Sequence, residues 1–244
     1  GDGSYTMSHQ FMFSNIDSYL INFFHRFCID HFDRNPTRKR TRPCDYVVCS
    51  LAARNTIKSW GLEQVNGECK KIPDIFLKAS AKSQASLLRG LFDTDGWVEK
   101  KGIICFLNKS ITICKQVQMM LLRLGIISRF KIARKKYKGE IREYGFITVL
   151  CSSIQKFSDV IGFNVEHKRL RLDMILKRKR NTNLDLIPSE FGSKLLKNYY
   201  YKIPKSKRCK KLRHCFYLYI AKFRSISYDK LSILYNEYKA DCRD

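Results

Sequence analysis

Asp95 is the residue whose setting most suggests chemistry. It closes the run Leu88-Arg89-Gly90-Leu91-Phe92-Asp93-Thr94-Asp95-Gly96, in which Leu88, Leu91 and Phe92, with Leu87, make one apolar helical face. A carboxylate at the C-terminal end of a helix faces the negative end of the macrodipole, an unfavourable placement that a divalent cation would relieve. Taken alone, the same residue reads as a loop aspartate closing an Asx turn. Gly90 sits inside the helix at a cost of roughly 1 kcal/mol relative to Ala, tolerable where another backbone must approach closely. Asp2-Gly3 repeats the acid–glycine pair at the start of the chain, and a lysine follows each acid at a similar distance: Lys71 lies 69 positions after Asp2, and Lys168 lies 73 after Asp95.

The elements around these residues also recur, as a duplicated unit would. Ser14 to Phe32 shows a helical stripe of Ile16, Tyr19, Leu20, Phe23, Phe24 and Phe27, with Ser14 and Asp17 placed like a capping box. Ser110 to Leu124 answers it with Ile113, Val117, Met120 and Leu121, stopped by Gly125. Each helix precedes a basic turn and a strand-like run: Arg38-Lys39-Arg40 then Tyr46 to Cys49, and Arg134-Lys135-Lys136 then Phe146 to Leu150. A short second helix follows in both, ending at Trp60-Gly61 and at Ile161-Gly162. From about Arg169 the character changes. Basic clusters at Lys177 to Arg180 and Lys202 to Arg213 flank apolar stretches, and Tyr228 to Tyr238 reads as a terminal amphipathic helix capped by Ser227.

The chain has 244 residues, with 47 Lys plus Arg against 22 Asp plus Glu, a formal net charge of +25. With 44% hydrophobic and 13% aromatic residues it has the apolar surface to fold, so the excess charge belongs to a globular protein with a basic face, not to a disordered tail. No run of 18 apolar residues and no signal-peptide pattern occurs, which predicts a soluble intracellular protein. The ten cysteines lack zinc or disulfide-framework spacing and read as thiols in a reducing compartment. The five histidines form no HExxH or zinc-finger spacing. The opening Gly-Asp-Gly, without an initiator Met, suggests a region of a longer polypeptide.

The Leu88–Gly96 nonapeptide resembles the signature of the LAGLIDADG, or dodecapeptide, homing endonucleases, and Gly1-Asp2-Gly3-Ser4 is similar to the tail of a first copy. Lys71 in Lys-Ile-Pro and Lys168 behind Val160-Ile161-Gly162-Phe163 match the lysine-bearing blocks of endonucleases inserted in inteins, and Asn181 to Pro188 is similar to sequence that follows their core. No splicing residues frame the chain, which ends Cys242-Arg243-Asp244, so protein splicing by this stretch is not expected.

The resemblance implies an α+β fold of two pseudo-symmetric αββαββα units forming a DNA-binding saddle, with a small, mostly helical C-terminal appendage. The corresponding divisions are 1–80, with its leading helix upstream, then 81–180 and 181–244. It further implies that Asp2 and Asp95, with Gly1 and Thr94 beside them, hold Mg²⁺ or Mn²⁺, that Lys71 and Lys168 complete the catalytic set, and that Gly90 serves a close contact between two signature helices. Contacts to double-stranded DNA would fall to Arg38, Lys39, Arg40, Arg42, Arg134, Lys135, Lys136, Lys138, Arg142, Lys177, Arg178, Lys179, Arg180, Lys207, Arg208, Lys210 and Lys211. The expected molecule is a monomer with internal pseudo-twofold symmetry. Two other readings remain at this stage: a non-cleaving DNA- or RNA-binding relative such as an intron maturase, and a basic structural protein without a site.

Overall fold

The computed structural model describes residues 2–7, 10–137, 139–178, 186–208, 213–214, 216–221 and 224–238. The chain divides into two compact units, 1–178 and 179–244.

The first unit contains two four-stranded antiparallel sheets of the same order. In the first, β1 (Gly3–Met7), β2 (Gln10–Ser14), β3 (Thr37–Arg38) and β4 (Asp45–Cys49) run in the order β1-β2-β4-β3. In the second, β5 (Gly96–Glu99), β6 (Ile103–Asn108), β7 (Ser128–Tyr137) and β8 (Glu140–Val149) run β5-β6-β8-β7. The registers agree as well: Gly3 pairs with Phe13 as Gly96 pairs with Phe106. Each sheet carries a helix between its second and third strands, α1 (Ser18–Phe32) and α5 (Ile111–Arg123), and a shorter helix after its last strand, α2 (Leu51–Ser59) and α6 (Ile154–Val160). A single helical turn, α3 (Asp74–Leu77), leads into α4 (Ala81–Asp95), which feeds β5 directly, and α7 (Glu166–Leu176) closes the unit.

Local sequence explains these boundaries. Asp17 caps α1, its carboxylate accepting from the Tyr19 and Leu20 amides at 3.0 and 3.2 Å. Ser14 is not a cap as its position suggested: it ends β2, and its hydroxyl donates to Asp45 at 2.8 Å instead. Ser110 caps α5 through the Ile113 amide (3.1 Å), and α5 ends at Gly125, whose φ of +70° only glycine takes without strain. The α5 face bearing Ile113, Cys114, Val117, Met120 and Leu121 is buried against the second sheet. It lies so close that a Cβ on Gly145 of β8 would fall 2.6 Å from Cys114.

Phe92 is the centre of this larger core. Its ring meets Phe106 at 5.3 Å, Phe157 at 4.9 Å and Phe163 at 6.4 Å, and burying one such side chain contributes about 1.5–3 kcal/mol. Around the first sheet the core is smaller: Phe11, Cys28, Val48 and Ala53, with Phe24, Phe27, Phe32 and Ile57 against them. The extended strap 70–72 is fastened to α5. Ser110 Oγ donates to the Lys70 carbonyl (2.5 Å), and Gln116 bonds both backbone groups of Ile72 at 2.8 and 2.9 Å.

The second unit is built on α8 (Ser189–Lys202) and α9 (Tyr228–Tyr238), with the two-residue strands β9 (Leu186–Ile187) and β10 (Ile226–Ser227) paired antiparallel. Leu196, Ile203, Phe216, Ile226 and Leu234 form its core. Tyr199 ties the two helices together, its hydroxyl donating to the carbonyls of Leu234 (3.1 Å) and Tyr235 (3.0 Å). Among the described residues no helix is long and apolar enough to cross a membrane.

Candidate active site

Asp95 is the last residue of α4 and Asp2 precedes β1, so both stand at the entry to the first strand of a sheet. The Asp-Gly step has a steric cause in the second half. A Cβ on Gly96 would lie 2.7 Å from Phe92, so only glycine lets the chain leave the helix and enter the strand without a linker.

The two acids are set by the same device. Asn15 Nδ2 donates to Asp2 Oδ2 (2.5 Å), and Asn108 Nδ2 donates to Asp95 Oδ2 (2.9 Å), each asparagine 13 residues beyond its aspartate. Each asparagine is held in turn by a backbone amide at the start of the following helix: Asp17 N–H to Asn15 Oδ1 and Ser110 N–H to Asn108 Oδ1, both 2.8 Å. Asp2 and Asp95 are within electrostatic reach of one another. Burial pushes the Asp2 carboxyl above its usual range, the Asn15 bond opposes that, and the Asp95 charge pushes it further up.

Lys168 belongs to the same centre. Burial lowers its pKa, while the charges of Asp93, Asp2, Asp95 and Asp17 hold it up. Its Nζ donates to the last carbonyls of α4, at Phe92 (3.2 Å), Asp93 (2.5 Å) and Thr94 (3.4 Å). A cation there offsets the negative end of the α4 macrodipole. Asp93 returns the favour to α7. Its buried carboxylate accepts from the Asn164 amide at 3.0 Å and the Val165 amide at 3.3 Å, fixing the two residues that lead into that helix. Arg89 Nε bonds the Ile161 carbonyl, so α4 is tied to residues 161–168 at three points. The Thr94 hydroxyl is spent on the Gly90 and Leu91 carbonyls (3.2 and 3.0 Å).

Not every sequence expectation lands on this centre. Lys71 is exposed on the strap; its neighbour Lys70 reaches the Gly3 carbonyl beside Asp2 (2.8 Å). Gly90 does not serve a helix contact among the described residues, because a Cβ there would meet nothing within 4 Å. Nearby, Phe11, Phe13, Phe24, Phe27, Leu87 and Leu91 help line an apolar groove of about 630 Å³ in the first unit.

The basic residues divide by strand geometry. Arg134, Lys135 and Lys136 lie inside β7 and not in a turn, because the β7–β8 hairpin stays paired out to Tyr137 and Glu140. Alternation therefore splits them. Gly145, Ile147 and Val149 of β8 are the buried positions over α5, so Arg129, Lys131 and Lys135 of β7, with Arg142 and Phe146 of β8, take the face turned away from it. Lys135 stands directly opposite Arg142, which also pairs with Glu140 (3.0 Å), and Lys131 lies 4.8 Å over the Phe146 ring. Arg134, on the other face, sits opposite Glu143 and pairs with it at 3.0 Å. Arg129 and Lys131 escaped the sequence reading because they precede the visible basic run.

Arg38 is used locally, donating to the Pro43 carbonyl (2.6 Å), while Arg40 and Arg42 are exposed and Lys39 is half-buried in the β3–β4 connection. Lys177 is exposed at the end of α7, and Arg178 donates to the Lys100 carbonyl (2.7 Å). Arg208 bonds the Ile203 carbonyl (2.8 Å) and covers the Tyr200 ring at 4.5 Å. Gly1, Lys138, Lys179, Arg180, Lys210, Lys211 and the side chain of Lys207 lie outside the described residues. Cys28, Cys105 and Cys114 are buried thiols, their pKa values pushed up to about 12, about 12 and about 11 by burial. Among the described residues no three His, Cys, Asp or Glu side chains gather as a metal cluster.

Residues 82–162, from α4 through α6, match the model of the LAGLIDADG-like domain. The replication factor C small subunit of Methanocaldococcus jannaschii is 33% identical over 158 residues, 64% of this chain and 8% of that protein. The replicative DNA helicase DnaB of Rhodothermus marinus is 26% identical over 162 residues, 61% of this chain and 17% of that protein. The chain thus spans a small part of the length of either relative. A solved structure of I-DmoI in complex with DNA and Ca is 14% identical with a TM-score of 0.49, covering 70% of this chain and 89% of that one.

Proposed function

We propose that this chain is the endonuclease part of a LAGLIDADG homing element, a site-specific hydrolase of phosphodiester bonds in double-stranded DNA that uses Mg²⁺ or Mn²⁺. The observation that carries this reading is the repeated Asp–Asn pair: two half-buried carboxylates, one per sheet, that meet in a single electrostatic centre on a chain of net charge +25. The stretches similar to this chain make up only 8% and 17% of a replication factor subunit and a helicase, which supports a mobile insert such as an intein.

The donor set fits a hard divalent cation. Two carboxylates whose charges oppose each other, in partly desolvated positions, are what Mg²⁺ takes alongside phosphate oxygens and water. When bound, such a cation neutralises charge developing on the phosphate and acidifies water. Asp2 and Asp95 would hold it, and Gly1 and Thr94, their neighbours in sequence, are the further candidates the resemblance offers. Lys168, fixed on the carbonyls of α4, adds positive potential at the reacting phosphate; in the first half Lys70 on the strap, which reaches the Gly3 carbonyl beside Asp2, takes the corresponding place, and not Lys71. The sheet faces turned away from the helices receive the duplex, with Arg129, Lys131, Lys135 and Arg142 on phosphates. The apolar groove is, in the first half, the seat that α4 fills in the second. A helix like α4 placed there would cover Phe11 and Phe24 and lie beside Leu87 and Leu91.

The test is cleavage of a plasmid library carrying randomised inserts, with Mg²⁺. Wild type should linearise the subset that bears its target. Asp95→Asn should cut that subset at least about 100-fold more slowly while binding it with unchanged affinity. Normal cutting by the variant overturns the site, and duplex binding without cutting by wild type favours a non-cleaving relative.

A further inference from the structure

We infer that Asn15 and Asn108 are positioning residues for the proposed cation site, each fixing the carboxylate oxygen that its half of the molecule presents. The inference rests on the reading of Asp2 and Asp95 given above, and adds to it two side chains with no charge and no direct role in the reaction.

The geometry leaves each amide one orientation. Asn15 Oδ1 faces the Asp17 N–H and Asn108 Oδ1 faces the Ser110 N–H, both at 2.8 Å, and an N–H donor demands the oxygen there. Nδ2 must then point at the aspartate, which it reaches at 2.5 Å in the first half and 2.9 Å in the second. The anchoring amides belong to the N-cap residues of α1 and α5, which are themselves held, Asp17 by its bonds to Tyr19 and Leu20 and Ser110 by its bonds to Lys70 and Ile113. Each aspartate is therefore coupled through one amide to the start of a packed helix. A carboxylate on a short side chain can rotate about its last torsion at little cost; a hydrogen bond from a donor that cannot turn removes that freedom. Outer partners of this kind typically change metal affinity or activity 10–100-fold when removed.

That the same atoms make the same bonds twice, with the same 13-residue and two-residue separations, argues against a chance contact. Helix capping alone would also ask only for an acceptor at these positions. It would not require the Nδ2 donor to meet the one acid of each half that shares an electrostatic centre with the other.

Mn²⁺ binding followed by electron paramagnetic resonance, with a 40-bp random duplex present, tests this on wild type, Asn15→Ala, Asn108→Ala and Asp95→Asn. Each alanine variant should bind Mn²⁺ about 10–100-fold more weakly than wild type. Wild-type affinity in both alanine variants, with affinity lost in Asp95→Asn, overturns the asparagine role and leaves the carboxylate site standing. Undiminished affinity in Asp95→Asn overturns both. A second measurement separates positioning from capping. Asn108→Asp keeps the acceptor for Ser110 and should keep the wild-type helix content by circular dichroism, yet cut its target at least about tenfold more slowly because it places a carboxylate against Asp95. Wild-type cutting by Asn108→Asp assigns the residue to capping alone and overturns the inference.

Discussion

Asp2 shows how burial and like charge load a site before any ligand arrives. Its folded pKa lies above 3.8 because burial disfavours the anion and Asp95 repels it, with the Asn15 bond only partly opposing. A group whose pKa rises on folding stabilises the fold fully below its unfolded value, and loses that contribution as pH climbs through the folded value. Ionised Asp2 therefore works against the fold at neutral pH. Asp2→Asn should raise Tm at pH 7.5, and the gain should shrink toward zero as pH falls to about 4; a gain of equal size at both values would show that the carboxylate's charge is not its source. The same residues show what sequence alone could reveal. Asp2, Asp95 and Lys168 stood out by type and repeated spacing. Asn15 and Asn108 did not, because an asparagine 13 positions on has meaning only once a hairpin pairing Gly3 with Phe13, or Gly96 with Phe106, brings the chain back. The legible signal would have been Asp-Gly followed at equal distance by Asn in both halves.

At the scale of elements, helices and sheet-forming runs could be read from periodicity, while their registers could not. The helix at 111–123 with its Ser110 cap and Gly125 stop follows from local rules, since each depends on neighbours in sequence. Lys70 and Lys71 do not. On an extended strap adjacent side chains point oppositely, so it took the Ser110 and Gln116 bonds to decide which lysine turns toward Asp2. Gly90 is the sharper case. The nonapeptide argued for a tight contact at that point, yet the surface of α4 there is open. Helix propensity then acts alone, and Gly90→Ala should stabilise the chain by about 0.5–1 kcal/mol in thermal or denaturant unfolding. A loss of stability would mean that another helix lies against this point, as the apolar groove beside Leu87 and Leu91 would allow.

For the molecule as a whole, the charge of +25 was plain in the composition, but composition cannot say which cations act together. Pleating does. Lys135 and Arg142 are directly opposed on one face of the β7–β8 hairpin, and although Arg142 pairs with Glu140, the face keeps the cations Arg129, Lys131 and Lys135, an excess that favours an anion lying across it. Arg134 is balanced by Glu143 on the other face, and Lys136 stands opposite Ile141. The two faces give variants of equal net charge, Lys135→Gln with Arg142→Gln and Arg134→Gln with Lys136→Gln, which a diffuse electrostatic attraction could not tell apart. If the duplex lies on the face away from α5, each lost phosphate contact lowers the slope of log K against log salt by about 0.9. The first pair should therefore flatten the slope by about 1.8 on a random-sequence duplex, and the second should leave it nearly unchanged. Equal flattening by both pairs would show that DNA responds to the hairpin's total charge and not to its register, and the sheet face would lose its claim as the binding surface.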